Sequence, residues 1–154
     1  MHKLIVSIIL VAILLLTLGV TASAATPPLD VSIVVHTSFG PDGSFGPFWA
    51  TGPAVTAGLI CPAGDTIDQV SKVMGYQSNR SANYFVRKLF TCFDGSGSFL
   101  VQMEVRLDYR GDNANWIVLS GTGVYQNFHG TGKLVGLDPD GWYDVKDVFT
   151  GQLH

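Results

Sequence analysis

Charge is scarce in this chain. Nine Lys and Arg stand against twelve Asp and Glu in 154 residues, 14% in all, for a formal charge of −3. The basic residues are scattered and no run of like charge occurs. A nucleic-acid partner needs a basic stripe and a charged disordered tail needs a block of one sign, so the sequence excludes both. Cysteine is as rare: Cys61 and Cys92 lack the paired short spacings of a zinc site. Beyond residue 24 no apolar run is long enough to cross a membrane as a helix.

The one long apolar run opens the chain. Met1-His2-Lys3 is short and basic, Leu4 to Val20 is apolar apart from Ser7, Thr17 and Gly19, and Ala22-Ser23-Ala24 follows. That order reads as a secretory signal over residues 1–24, cleaved near Ala24, rather than as an uncleaved anchor, for which the run is close to minimal length. No cysteine follows the run, which argues against a lipid anchor. The expected product is secreted, with no membrane association after cleavage. It comprises one domain, residues 25–154, of a size that buries a core. Losing Lys3 takes the formal charge from −3 to −4.

In an oxidising compartment an even cysteine count favours one disulfide, Cys61–Cys92, over a nucleophile or a metal thiolate. Closing a loop of about 30 residues would contribute roughly 3–4 kcal/mol.

What is present is mainly period two. Val31, Ile33 and Val35 alternate with Ser32, Val34 and His36, which marks a strand over 30–37. From Phe99 to Tyr109 the alternation is cleanest: Phe99, Val101, Met103, Val105, Leu107 and Tyr109 on one face, Leu100, Gln102, Glu104, Arg106 and Asp108 on the other. Turn residues flank it at 94–97 and 110–113. Further strands are expected at 85–93, 116–120, 130–136 and 143–153, with a hairpin turn at Asp138-Pro139-Asp140-Gly141. On the last strand Tyr143, Val145, Asp147, Phe149, Gly151 and Leu153 share a face, and Asp147 is its one charged member. Residues 65–74 fit either reading: Asp65 as a cap with Ile67, Val70 and Met74 at helical spacing, or an irregular edge strand, which the surrounding β pattern favours.

Six to eight strands on short turns predict an all-β fold, a barrel or a β-sandwich. Of 18 glycines all but Gly19 lie beyond the leader. That favours the barrel, which needs residues without Cβ where strands bend or approach closely, and whose closure removes exposed edges.

Gly-Thr-Gly occurs twice, at 121–123 and 130–132, in "WIVLSGTGVYQNFHGTGKLVG". A phosphate cradle would run from such a turn into a helix; here the chain returns quickly to strand. The stretch instead resembles the allene oxide cyclase and dirigent superfamily, in which an apolar strand, a glycine-rich break, an aromatic and a second glycine follow one another. Gly121, Thr122 and Gly123 match the break, Tyr125 the aromatic and Gly130 the second glycine, with Ser120 in place of the usual first glycine. About 20 residues match well, and "DVFTGQL" matches more weakly. "FWATGPAVTAGLICPAG" with "RKLFTCFDGSGSF" is similar to uncharacterised secreted bacterial proteins that pair these two cysteines. The resemblance implies a single antiparallel up-and-down β-barrel of about eight strands, with Gly-x-Gly kinking the strand out, Tyr125 plugging the barrel end and Gly130 letting the chain return. No position matches the cyclase's Glu and Cys or the dirigent acidic pocket.

Chemistry-bearing residues are few. His36, His129 and His154 read as surface histidines, not metal ligands. Asp138-x-Asp140-Gly141 with Asp144 matches part of a calcium loop but lacks its closing glutamate. Glu104, Arg106 and Asp108 are expected outside the barrel as cross-strand ion pairs. Asn79-Arg80-Ser81 fits a glycosylation sequon. No triad, metal or cofactor is expected. "SFGPDGSFGPFW" brings Phe39, Phe45, Phe48 and Trp49 together among glycines, either capping the core or forming a barrel mouth that takes an apolar ligand or a glycan. The expected function is therefore a secreted, non-catalytic barrel that binds a small apolar ligand or a surface partner through its mouth loops, with a homo-oligomer as one form. The alternative is a cyclase, isomerase or dirigent-type protein that guides a reactive intermediate, and an inward carboxylate facing an apolar cavity would favour it.

Overall fold

The computed structural model describes residues 27–78, 81–108, 111–137 and 145–154. The leader, Asn79 and Arg80 of the sequon, Tyr109, and the 138–144 segment with its aspartates lie outside the described residues.

Eight strands follow in chain order: β1 (Leu29–Gly40), β2 (Gly43–Thr51), β3 (Ala63–Ser78), β4 (Ser81–Cys92), β5 (Ser98–Asp108), β6 (Gly111–Gly121), β7 (Gly130–Leu137) and β8 (Val145–Leu153). Each pairs antiparallel with the next, and β1 closes on β8 from Leu29↔Leu153 to Thr37↔Val145. The result is one closed up-and-down barrel, the predicted architecture rather than the sandwich. A four-residue helix, α1 (Pro53–Thr56), and a 3₁₀ turn, Gly123–Tyr125, are the only helical pieces among the described residues.

Closure sorts side chains strictly by parity. On β5, Phe99, Val101 and Met103 are buried, whereas Glu104 and Arg106 are exposed, as their alternation requires. The register partners of Glu104 and Arg106 carry no charge, however. Arg106 stands opposite Asn83 and Asn113, and Glu104 opposite Phe85 and Asn115. Arg106 approaches Asp108 of its own strand instead, at 4.0 Å.

β3 resolves the ambiguity at 65–74 as strand and explains it. Register shifts fall between Asp68 and Val70 and again between Val73 and Gly75. Each bulge reverses which residues face the interior. Ile67 and Met74 are left outside, 55% and 67% exposed, while Asp68 and Ser71 line the interior. An apolar spacing that imitates a helix is here a strand broken by bulges.

One end of the barrel is solid. Phe90 stacks on Phe99 at 4.9 Å and meets Phe48 and Phe149 edge-on at 5.3 and 5.5 Å. Tyr125 and Phe128 close the end against Phe99. Such pairs add to the stabilisation from burying the rings. The Cys61–Cys92 disulfide, Cα–Cα 6.0 Å, ties the segment after α1 to the end of β4. Phe90→Ala is expected to cost about 3–5 kcal/mol. Replacing both cysteines with serine should cost about 2–5 kcal/mol. Each loss is measured from the urea unfolding midpoint of the variant against wild type.

Candidate functional site

The glycine-rich break is structural. Gly121 ends β6, and a Cβ there would meet the Tyr125 carbonyl oxygen at 2.1 Å. Gly123 takes φ +61°, packed against the Ser96 carbonyl. The chain thus folds back and drives Tyr125 into the barrel end, where only 3% of it is exposed. The Tyr125 hydroxyl accepts from the Cys61 amide at 3.1 Å and hydrogen-bonds Ser96 Oγ at 3.0 Å, 3.3 Å from Cys92 Sγ. Thr122 Oγ1 bonds the Ser98 amide and hydroxyl, and Gly130 opens β7. All five motif residues secure the solid end, and after the 3₁₀ turn the chain returns to strand at Gly130.

The four aromatics of the β1–β2 hairpin are not brought together. Phe48 is fully buried in the core. Phe45 and Trp49, 47% and 48% exposed, lie on the outer face of β2, with Trp49 against His36 at 5.2 Å. Parity separates them: the "loop" is mostly strand, turning at Pro41 and Asp42. Only Phe39 lines the cavity of the open end. His129 and His154 are exposed, their rings 5.8 Å apart. Among the described residues no three His, Cys, Asp or Glu converge as a metal requires.

The open end holds a cavity of about 220 Å³. Val86, Met103, Val105, Leu107 and Leu134 form its apolar wall, and Thr37, Ser44, Ser71, Tyr84, Asp68, Lys88, Asp112 and Asp147 contribute polar groups. Asp147, the one charged member of its apolar face, is inward, and with it are Asp68 and Lys88, which the sequence pattern did not reveal. Asp68 and Lys88 are register partners on β3 and β4. Lys88 Nζ lies 2.8 Å from Asp68 Oδ1, with the two side chains 3% and 5% exposed. Lys88 donates to Ser44 Oγ at 2.6 Å, and Ser44 donates through its amide (2.9 Å) and hydroxyl (3.0 Å) to Asp68 Oδ2. The contact between Asp68 Oδ1 and the Lys88 ammonium is short enough to be charge-assisted.

Asp147 faces the same space from β8. Thr37 Oγ1 donates to its Oδ2 at 2.6 Å. A Cβ at Gly136 would come within 3.2 Å of its Oδ1, so the glycine leaves the carboxylate its room. Burial pushes the Asp147 pKa above the ordinary aspartate value. The Thr37 hydrogen bond and the charge of Lys88 oppose that rise, and the charge of Asp68 adds to it. A buried ion pair beside a second buried carboxylate is costly to build, and well-packed apolar residues would serve stability as well or better. Its position on a cavity wall makes it the candidate functional site.

Lys88→Met alone strands Asp68 and should cost about 3–5 kcal/mol, and adding Asp68→Leu should recover most of it, as read by urea denaturation. The pH dependence has a definite sign. The folded chain binds the Asp147 proton more tightly than the unfolded chain does, so this group's stabilisation is complete below 3.8 and is lost as pH rises through the folded value. Asp147→Asn should flatten the stability–pH curve in the window that opens at 3.8 and raise stability at neutral pH, as thermal melts across that range would record.

No family model matches the chain and no curated protein matches it, so the reading of this site rests on its geometry.

Proposed function

We propose that this chain is a ligand-holding barrel whose binding site is the open-end cavity. The observation that carries the reading is an apolar wall, Val86, Met103, Val105, Leu107 and Leu134, facing the buried Asp68–Lys88–Ser44 and Asp147–Thr37 groups. Apolar area binds the body of a ligand, and a few fixed polar groups orient its head. At about 220 Å³ the space is smaller than the roughly 300–1,000 Å³ of drug-sized pockets. A compact ligand fits it better than a long chain. The site lies inside the barrel and draws on Phe39 alone among the hairpin aromatics. Secretion and kinship with the allene oxide cyclase and dirigent barrels belong to the same proposal. A disulfide without free cysteine accords with an oxidising compartment.

One observation favours the catalytic alternative. Asp147 combines burial, a raised pKa and a cavity position, the environment that suits a carboxylate to proton transfer. In the isomerase reading its carboxylate removes a proton from a carbon next to a bound carbonyl and returns it elsewhere.

Amide-resolved NMR of the protein with small aromatic alcohols and ketones tests both. Binding should shift Thr37, Ser71, Val86 and Leu134, leave Phe45 and Trp49 in place, and vanish in a cavity-filling Val86→Trp variant that still melts cooperatively. Shifts confined to the outer aromatics would sink the proposal. If Asp147 transfers protons, phenylacetone in heavy water should exchange its activated hydrogens faster with wild type than with Asp147→Asn.

A further inference from the structure

We infer that the cavity selects a small organic cation, an amine with a compact apolar body, whose ammonium group sits against Asp147. The inference rests on the cavity being the binding site and names the charge class of its ligand.

The charge inventory is the first argument. Among the described lining residues Lys88 is the one cation, set against the carboxylates of Asp68, Asp112 and Asp147. Lys88 is already engaged, by Asp68 at 2.8 Å and Ser44 at 2.6 Å. An anionic ligand would have to share that ammonium with Asp68 while approaching Asp147, and like charges in a space shielded from water repel strongly. Anions are therefore the worst candidates.

Second, Asp147 has no cation in direct contact among the described residues. From β1 the side chain facing it is Thr37, which supplies a neutral hydroxyl. From β7 it meets Gly136 and Leu134, which carry no charge. Across the cavity stand Asp68 on β3, Tyr84 and Lys88 on β4 and Asp112 on β6. His36, Lys133 and Lys146 occupy the opposite parity of their strands and point away from the interior. Asp68 thus has a cation in direct contact and Asp147 has a hydroxyl. A neutral ligand leaves Asp147 either ionised without a counter-ion or protonated. An ammonium supplies the missing charge and can donate to the carboxylate at the same time.

The third argument concerns size and kind. No three ligating side chains converge as a metal ion requires among the described residues, and the wall around the polar cluster is aliphatic, with the Tyr84 ring beside it. That lining suits an organic ammonium, whose hydrocarbon body packs on Val86, Met103 and Leu134 while an aromatic ring attracts its charge.

Linkage fixes the pH dependence. An amine stays charged throughout the acid and neutral range, whereas Asp147 must lose its proton to pair with it. Binding should therefore tighten as pH rises from about 4 toward neutrality, and at the acid end each binding event should release a proton.

Three isosteric probes decide the matter: benzylamine, benzyl alcohol and benzoate, titrated into the disulfide-bonded protein at neutral pH by calorimetry and amide-resolved NMR. Benzylamine is expected to bind at least about tenfold more tightly than benzyl alcohol, with benzoate weakest. In Asp147→Asn the gap should shrink to within about threefold while benzyl alcohol binding persists. Should that variant fail to fold, wild type titrated at the acid end of that range still answers, because there benzylamine binding alone should carry a buffer-dependent heat of proton release. Benzyl alcohol matching benzylamine would overturn the charge assignment and leave the cavity as the binding site. Benzylamine preference undiminished in Asp147→Asn would also overturn it. Failure of all three probes to shift Thr37, Val86 and Leu134 would overturn the cavity reading and this inference together.

Discussion

Barrel closure is the constraint from which the rest follows. Once β8 pairs with β1, the sheet has no edge, and every second residue of every strand points into a space only about one layer of side chains wide. What fills that space is set by parity alone. At the α1 end the inward residues are Phe48, Phe90, Phe99, Phe149 and Leu153, and the interior is solid. At the other end they include Thr37, Ser44, Asp68, Ser71, Lys88 and Asp147, and the interior stays partly empty. One topological rule thus produces a packed core and a polar cavity in the same barrel.

Bulges turn that rule into a site. Without the shift between Asp68 and Val70, parity on β3 would run on unchanged, and Val70 would take the interior place that Ser71 holds. The bulge bends the strand and presents a small hydroxyl residue to the cavity instead. Ile67, before the shift, already faces out and is 55% exposed, whereas Val73 shares the parity of Ser71 and pairs with cavity-lining Tyr84. Around the shift the inward residues of β3 are thus polar, Asp68 and Ser71.

Much of the fold was legible in the sequence. β5 and β8 alternate without interruption, and Phe99 to Leu107 and Val145 to Leu153 face where their periodicity says. The Gly-x-Gly break before Tyr125 was readable because it solves a steric problem, the close approach of Gly121 to the Tyr125 backbone. β3 was obscure because bulges destroy period two. The site was half legible. Asp147 announced itself as the one charge on an apolar face. Lys88 could have done the same, since Ala82, Tyr84, Val86, Phe90 and Cys92 share its parity on β4, but the alternation shows only when the strand is followed back to Ser81. That Asp68 meets Lys88, and that Thr37 meets Asp147 across the closing seam, depends on register and closure, which local pattern does not encode.

The two ends are also energetically complementary. Buried charges and unfilled interior space both reduce stability, and the open end carries both. The opposite end concentrates the terms that offset them: a cluster of stacked and edge-on aromatics, a disulfide across the base, and Tyr125 bonded to both sides of that disulfide. Stability alone would favour apolar side chains at the open end, like Phe99 and Leu153 at the other. The open end instead keeps Asp147 at a raised pKa, while the one lining lysine among the described residues, Lys88, is in contact with Asp68. An unfavourable charge kept inside a well-braced barrel accords with the binding role proposed for Asp147. The bracing at one end is what allows the other to remain incomplete.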